Sequence, residues 1–164
     1  MPNLFRRILV PHDFSDAAGH ALRIAVELAR QHRGRLTVLH VVPPYPVVGF
    51  PEPVTVLATE EQILASTKRR LEELVRRQVR GRGAPPVRTH VVPGDPYTRI
   101  IAAAELATML VMATEGRTGL SHLLIGSVTE KVVRHSTKPV LTLRPPTRAR
   151  RGSAGARSRS RRRS

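Results

Sequence analysis

Short apolar runs alternate along this chain with longer stretches in which apolar residues return every three or four positions. The first signals buried strands, the second helices with one apolar face. Arg7-Ile8-Leu9-Val10 ends at Pro11, which cannot donate to a ladder, and reads as a first strand. Ser15 and Asp16 supply an N-cap and a first-turn acid for a helix through about His32, with Ala18, Leu22, Ala25 and Leu28 on one face and Gly34 closing it. Leu36 to Val42 is β-rich, stops at Pro43-Pro44, and reads as a second strand. Strand, helix and strand of these lengths make a right-handed βαβ unit.

Prolines 43, 44, 46, 51 and 53 forbid a regular element up to about Thr59, so a surface loop is expected there. From Glu60 to Arg80, Ile63, Leu64, Leu71, Leu74, Val75 and Val79 form an apolar stripe among many charges, a helix that Gly81 and Gly83 end. Val87 to Val92 is a third strand, and Gly94-Asp95-Pro96 turns the chain into a short helix carrying Ile100, Ile101 and Ala104. Met109 to Ala113 is a fourth strand, Ser127 to His135 a last helix, and Pro139 to Leu143 a fifth strand. Five strands alternating with four helices predict an α/β fold, an open parallel sheet covered on both faces. Ligands of such sheets bind at the carboxyl ends of the strands where strand order reverses. With the first strand central, the loops after the first and fourth strands are the candidates.

The loop after the fourth strand, Ala113-Thr114-Glu115-Gly116-Arg117-Thr118-Gly119 onward to Gly126-Ser127-Val128-Thr129, leaves a strand and enters a helix through small residues. Free N–H groups at a helix start, with the Ser127 and Thr129 hydroxyls, offer hydrogen bonds and a partial positive charge to an anion. The dipole contributes only about 0.3–1 kcal/mol, so several donors must act together. On spacing alone, Gly116 and Gly119 read equally well as turn glycines and Gly126-Ser127 as an ordinary helix cap.

The segment 145–164 carries eight Arg and no acid, half of the formal charge of +16, and leaves 20 Lys and Arg against 12 acids, a surplus of +8, for the remainder. With no apolar residue beyond Ala it cannot offset its ordering entropy, so a domain over 1–144 and a disordered arginine- and serine-rich tail over 145–164 are expected. The tail suits weak, salt-dependent contact with nucleic acid or a purely solubilising role. The chain has no Cys, which excludes thiol chemistry, disulfides and zinc thiolate sites. Its seven His are scattered rather than set at metal-ligand spacing, so no metal site is expected. His12 beside Asp13 reads as a base in a cleft or, more simply, as a loop residue near a ligand, and no catalytic triad or paired carboxylates stand out. No apolar run reaches the roughly 20 residues that span a bilayer, so no membrane contact and a cytoplasmic location are expected.

Here the chain resembles the universal stress protein family. Its adenine-nucleotide signature is Gly, two residues, Gly, nine residues, Gly, then Ser or Thr, and Gly116 followed by nine residues and Gly126-Ser127 matches the second half. Arg7-Ile-Leu-Val-Pro-His-Asp13-Phe-Ser, Val38-Leu-His-Val-Val42, Gly94-Asp-Pro, Gly126-Ser-Val-Thr-Glu-Lys-Val-Val and Lys138-Pro-Val-Leu match further, so that the resemblance covers about residues 4 to 144. It implies an adenine nucleotide α-hydrolase-like, Rossmann-like sheet of order 3-2-1-4-5, and a homodimer paired through the last strand. It also implies a stress-response module that binds ATP, with or without Mg2+. Asp13 and Val41 would hold adenosine, with Pro11, His12, Met112 and Thr114 beside them. Ala113, Gly116, Gly126, Ser127, Val128 and Thr129 would surround the phosphates. The chain departs from the signature at Ala113, where the first Gly stands, and at Glu115, where His often precedes the second Gly. A slow ATPase or self-phosphorylating protein is the second reading, because Ser127 and Thr129 would lie near the γ-phosphate. A stress protein that binds no nucleotide and contacts nucleic acid through its tail is the third.

Overall fold

The computed structural model describes residues 3–44, 59–114 and 126–144. Gly116, the loop residues around it and the segment 145–164 lie outside the described residues. The elements are β1 (Arg7–Pro11), α1 (Asp16–Gln31), β2 (Arg35–Val42), α2 (Glu60–Gln78), β3 (Val87–Pro93), α3 (Pro96–Ala104), β4 (Met109–Ala113), α4 (Ser127–His135) and β5 (Val140–Leu143). The strands form one sheet in the order β3-β2-β1-β4-β5, and every neighbouring pair is parallel. The fold is the α/β one that the alternation predicts, in the Rossmann-like strand order that the resemblance implies.

Strand alternation splits the apolar residues between two cores. Ile8 and Val10 of β1, with Leu36, Val38, Met109 and Val111, pack with Leu22, Ala25 and Val26 of α1 and Leu71 and Val75 of α2. Leu9, Leu39, Val41, Leu110 and Met112 point the other way, onto Ile100 and Ala104 of α3 and Val132 of α4. Each fully buried Leu, Ile or Val contributes about 1.5–3 kcal/mol. A one-residue slip of β1 would send Leu9 and its two neighbours to the wrong cores.

Local chemistry sets the helix ends. Ser15 Oγ accepts from the Ala18 amide at 3.1 Å, and alanines at 17, 18, 21, 25 and 29 let the buried face of α1 approach the sheet closely. Gly34 closes α1 as expected, in a Schellman turn whose left-handed residue is Arg33, with φ 53°. Gly34 also answers a separate need. A Cβ at Gly34 would lie 1.9 Å from the Phe5 carbonyl oxygen, while its N–H donates to the Ala29 carbonyl at 2.8 Å. Helix α2 opens with a capping box in which Thr59 and Gln62 satisfy each other's backbone amides. It stops two residues before Arg80, with Val79 as its C-cap. Strand β5 begins after Pro139 rather than at it, because that residue lends only its carbonyl, which accepts from Leu110 N–H at 2.9 Å.

Asp95 caps α3, accepting from the amide and the hydroxyl of Thr98, each at 2.8 Å. The Thr98 amide holds this exposed carboxyl below the usual carboxylate range. Just before it, Gly94 N–H donates to the Val42 carbonyl at 3.0 Å. That bond draws the start of α3 over the end of β2, which forms one wall of the cleft described next.

Candidate functional site

A cleft of about 300 Å³ opens at the carboxyl ends of β1, β2 and β4, between the start of α3 and the start of α4. Its apolar floor consists of Leu39, Val41, Met112 and Ile100, each less than a tenth exposed. Pro11, His12 and Asp13 enter it from β1, Ala113 from β4, and Gly126, Ser127, Val128 and Thr129 from the first turn of α4. The structure thus brings together ten of the residues singled out in the sequence. Thr114 stands apart from the lining. Its amide donates to the Leu143 carbonyl at 2.9 Å and its hydroxyl to the same oxygen at 3.4 Å, so it fastens β5 to β4. Gly116 lies outside the described residues, as do Glu115 and Arg117.

The exit from β1 is fixed by a chain of hydrogen bonds. The His12 amide donates to the Leu39 carbonyl at 2.8 Å, and His40 Nδ1 donates to the His12 carbonyl at 2.7 Å. Asp13 Oδ1 accepts from the amide of Ser15 at 3.0 Å and from its hydroxyl at 2.5 Å. A carboxylate accepts several hydrogen bonds at once, so these contacts orient Asp13 at the mouth of the cleft. Phe14, a bulky residue at φ 67°, holds a conformation that costs about 1–3 kcal/mol. Its ring packs on His40 at 4.5 Å between centroids, and the Arg70 guanidinium lies over it at 4.1 Å.

His12 is 3% exposed. Burial lowers its pKa to about 4, a shift that Asp13 opposes and that His40 and Arg70 reinforce. The ring is therefore neutral at physiological pH. Its Nδ1 accepts the Phe14 amide at 3.0 Å, which places the single ring proton on Nε2. That Nε2–H is buried and has no hydrogen-bond partner among the described residues. An unmet donor of this kind costs about 1–3 kcal/mol. With Nδ1 engaged and the ring uncharged, His12 carries its one ring proton as a donor on Nε2.

The other polar wall is the start of α4. Gly126 is its N-cap, and no side chain among the described residues caps the helix. The amides of Ser127, Val128 and Thr129 are the first three of the helix and so lack intrahelical acceptors. Gly126 N–H is engaged, donating to the Thr114 carbonyl at 2.7 Å. The Thr129 hydroxyl donates to the Ala113 carbonyl at 2.9 Å. Since a hydroxyl carries one proton, Thr129 offers an anion its backbone amide rather than its side chain. Ala113 packs with the first core, on the α1 side of the sheet, so its methyl turns away from the core face that α4 covers.

Sequence reasoning missed five lining residues: Ala18, Leu39, His40, Pro96 and Ile100. Four of them, Ala18, Leu39, His40 and Ile100, lie in segments read as elements from the sequence, and the signal that would have found them is register. Leu39 and Val41 share a face of β2, and Gly94-Asp95-Pro96 returns to the end of that strand.

With this geometry in view, the chain belongs to the universal stress protein family, whose model matches residues 4–144. A universal stress protein of Methanocaldococcus jannaschii is 31% identical over 153 residues, covering 88% of this chain and 85% of its own. Among solved structures, a universal stress protein of Lactobacillus plantarum superposes with a TM-score of 0.67 at 26% identity, over 85% of this chain and 98% of its own. Another, from Archaeoglobus fulgidus in complex with dAMP, has a TM-score of 0.57 at 23% identity, over 85% and 98%. No helix among the described residues is long and apolar enough to cross a membrane.

Proposed function

We propose that this protein is a stress-response binding module whose cleft takes an adenine nucleotide, ATP above all, and that nucleotide occupancy changes its contacts with partners. The observation that carries the reading is the meeting, in one cleft, of His12, whose ring N–H is buried and unmet among the described residues, with a helix start at Ser127 that no described side chain caps. A nucleotide has the complementary parts. Its base and ribose suit the apolar wall of Val41, Pro96 and Ile100 and the carboxylate of Asp13, and its phosphates suit the amides of Ser127, Val128 and Thr129. A relative of the same fold was solved with dAMP, which supports the nucleotide class. Among the described residues no three His, Cys, Asp or Glu side chains converge on one point. Mg2+ would then enter on phosphate oxygens, which is its common mode in nucleotide sites.

The same reading includes a homodimer joined along β5, which stands at the sheet edge with residues 140–143 all partly exposed. An unpaired strand edge is a template for pairing with another chain. Sedimentation at twice 18.1 kDa is expected. Mass spectrometry of small molecules released from protein purified without added nucleotide tests the main reading. An adenine nucleotide near one per chain is the expected result, and its consistent absence, with no uptake of added ATP, would overturn it.

A further inference from the structure

A second concavity, of about 1380 Å³, starts at the amino-terminal ends of β1, β2 and β3 and continues along the α3 side of the sheet. It exists because α3 crosses β2 and β1 on its way to β4, leaving Arg88 and His90 of β3 exposed. Half-buried Val92 and Leu106, which is 80% exposed, give it an accessible apolar floor, and arginines 7, 33, 35 and 88 are exposed along its lining. None of these four arginines forms an ion pair among the described residues. The one acid among the described lining residues, Glu105, is engaged by Lys138 at 3.6 Å and by Thr137 at 3.1 Å. Arg7 and Arg35 are register partners on adjacent strands, a like-charge pairing that disfavours the fold unless an anion lies between them.

We propose that this trough binds single-stranded nucleic acid, with phosphates on the arginines and bases against the apolar floor. Planar guanidinium groups match phosphate oxygens two at a time. An apolar floor has no use to a bare polyphosphate, and a duplex keeps its bases inside. The chain's own segment 145–164, with eight Arg, has the wrong sign to fill the trough, and a second copy would present the same charge. The trough is separate from the nucleotide cleft, with which it shares Leu39 alone.

The test is fluorescence anisotropy on full-length protein with labelled 12-nucleotide oligouridylate and oligothymidylate. The variants are a trough variant (Arg7→Gln, Arg35→Gln, Arg88→Gln) and a tail variant with the eight terminal arginines changed to Gln. At low salt the trough variant should bind at least about tenfold more weakly. Its slope of log affinity against log salt should fall by about 2, as three lost phosphate contacts on a single strand dictate. Its thermal unfolding midpoint should be unchanged or raised, since the Arg7–Arg35 repulsion is gone, which separates lost binding from lost folding. The tail variant should keep a salt-dependent component that disappears when the trough substitutions are added. Affinity equal to wild type in the trough variant would overturn the proposal. So would loss of all binding in the tail variant alone, equal affinity for a duplex, or equal competition by polyglutamate.

Discussion

The hydroxyl of Thr129 donates to the carbonyl oxygen of Ala113 at 2.9 Å, and together with the Gly126 amide on the Thr114 carbonyl it sets the start of α4 against the end of β4. Thr129 is 7% exposed, so water cannot readily replace the contact. Thr129→Val should leave the Ala113 carbonyl unmet and lower stability by about 1–3 kcal/mol. Thr129→Ser should keep most of the bond. Urea unfolding of the two variants checks this, and equal stabilities would show that the bond does not fasten the helix.

Burial of His12 makes stability depend on pH in a stated direction. The folded ring titrates at about 4, below its ordinary 6.5, so between those values the unfolded chain binds a proton that the folded chain does not. Stability is therefore full above about 6.5 and declines as the pH falls toward 4, by up to about 3 kcal/mol. His12→Gln should flatten that window when urea midpoints are followed from pH 7 to pH 4. An unchanged pH profile would contradict the assignment.

Gly34→Ala places a methyl carbon 1.9 Å from the Phe5 carbonyl, a clash with backbone rather than with a movable side chain. Overpacking of this type costs about 1–3 kcal/mol, and a backbone neighbour puts the expected loss at the upper end. A thermal midpoint within a degree of wild type would show that the segment before β1 shifts freely.

Much of this architecture was legible in the sequence because the physics is local. Apolar runs bounded by Pro11, Pro43 and Gly94 mark strands, and Ser15 marks a helix start. What escaped was what depends on register across the sheet. His40 enters the site because β2 lies beside β1, and no spacing along the chain reveals its bond to the His12 carbonyl. Gly34 was recognised as a stop, but its reason is the Phe5 carbonyl, 29 residues away in sequence. Thr129 joins the ligand groups by its hydroxyl, and Thr114 by the family resemblance. The structure gives those protons to the carbonyls of Ala113 and Leu143.

The departure from the family signature at Ala113 should matter little. Its methyl packs with the α1-side core, so Ala113→Gly should change nucleotide affinity less than about threefold. It should lower stability by about 0.5–1 kcal/mol through the added backbone freedom. Titration calorimetry alongside unfolding checks both, and binding seen only in the Gly variant would mean that the methyl closes the site.

The most direct test is isothermal titration of the full-length protein with ATP, repeated with Asp13→Asn, which keeps an acceptor for Ser15 but removes the charge. Saturable binding of one nucleotide per chain, weakened at least about tenfold by the substitution, is the predicted result. No heat with the wild type at any protein concentration tried, together with no nucleotide retained through purification, would contradict the account.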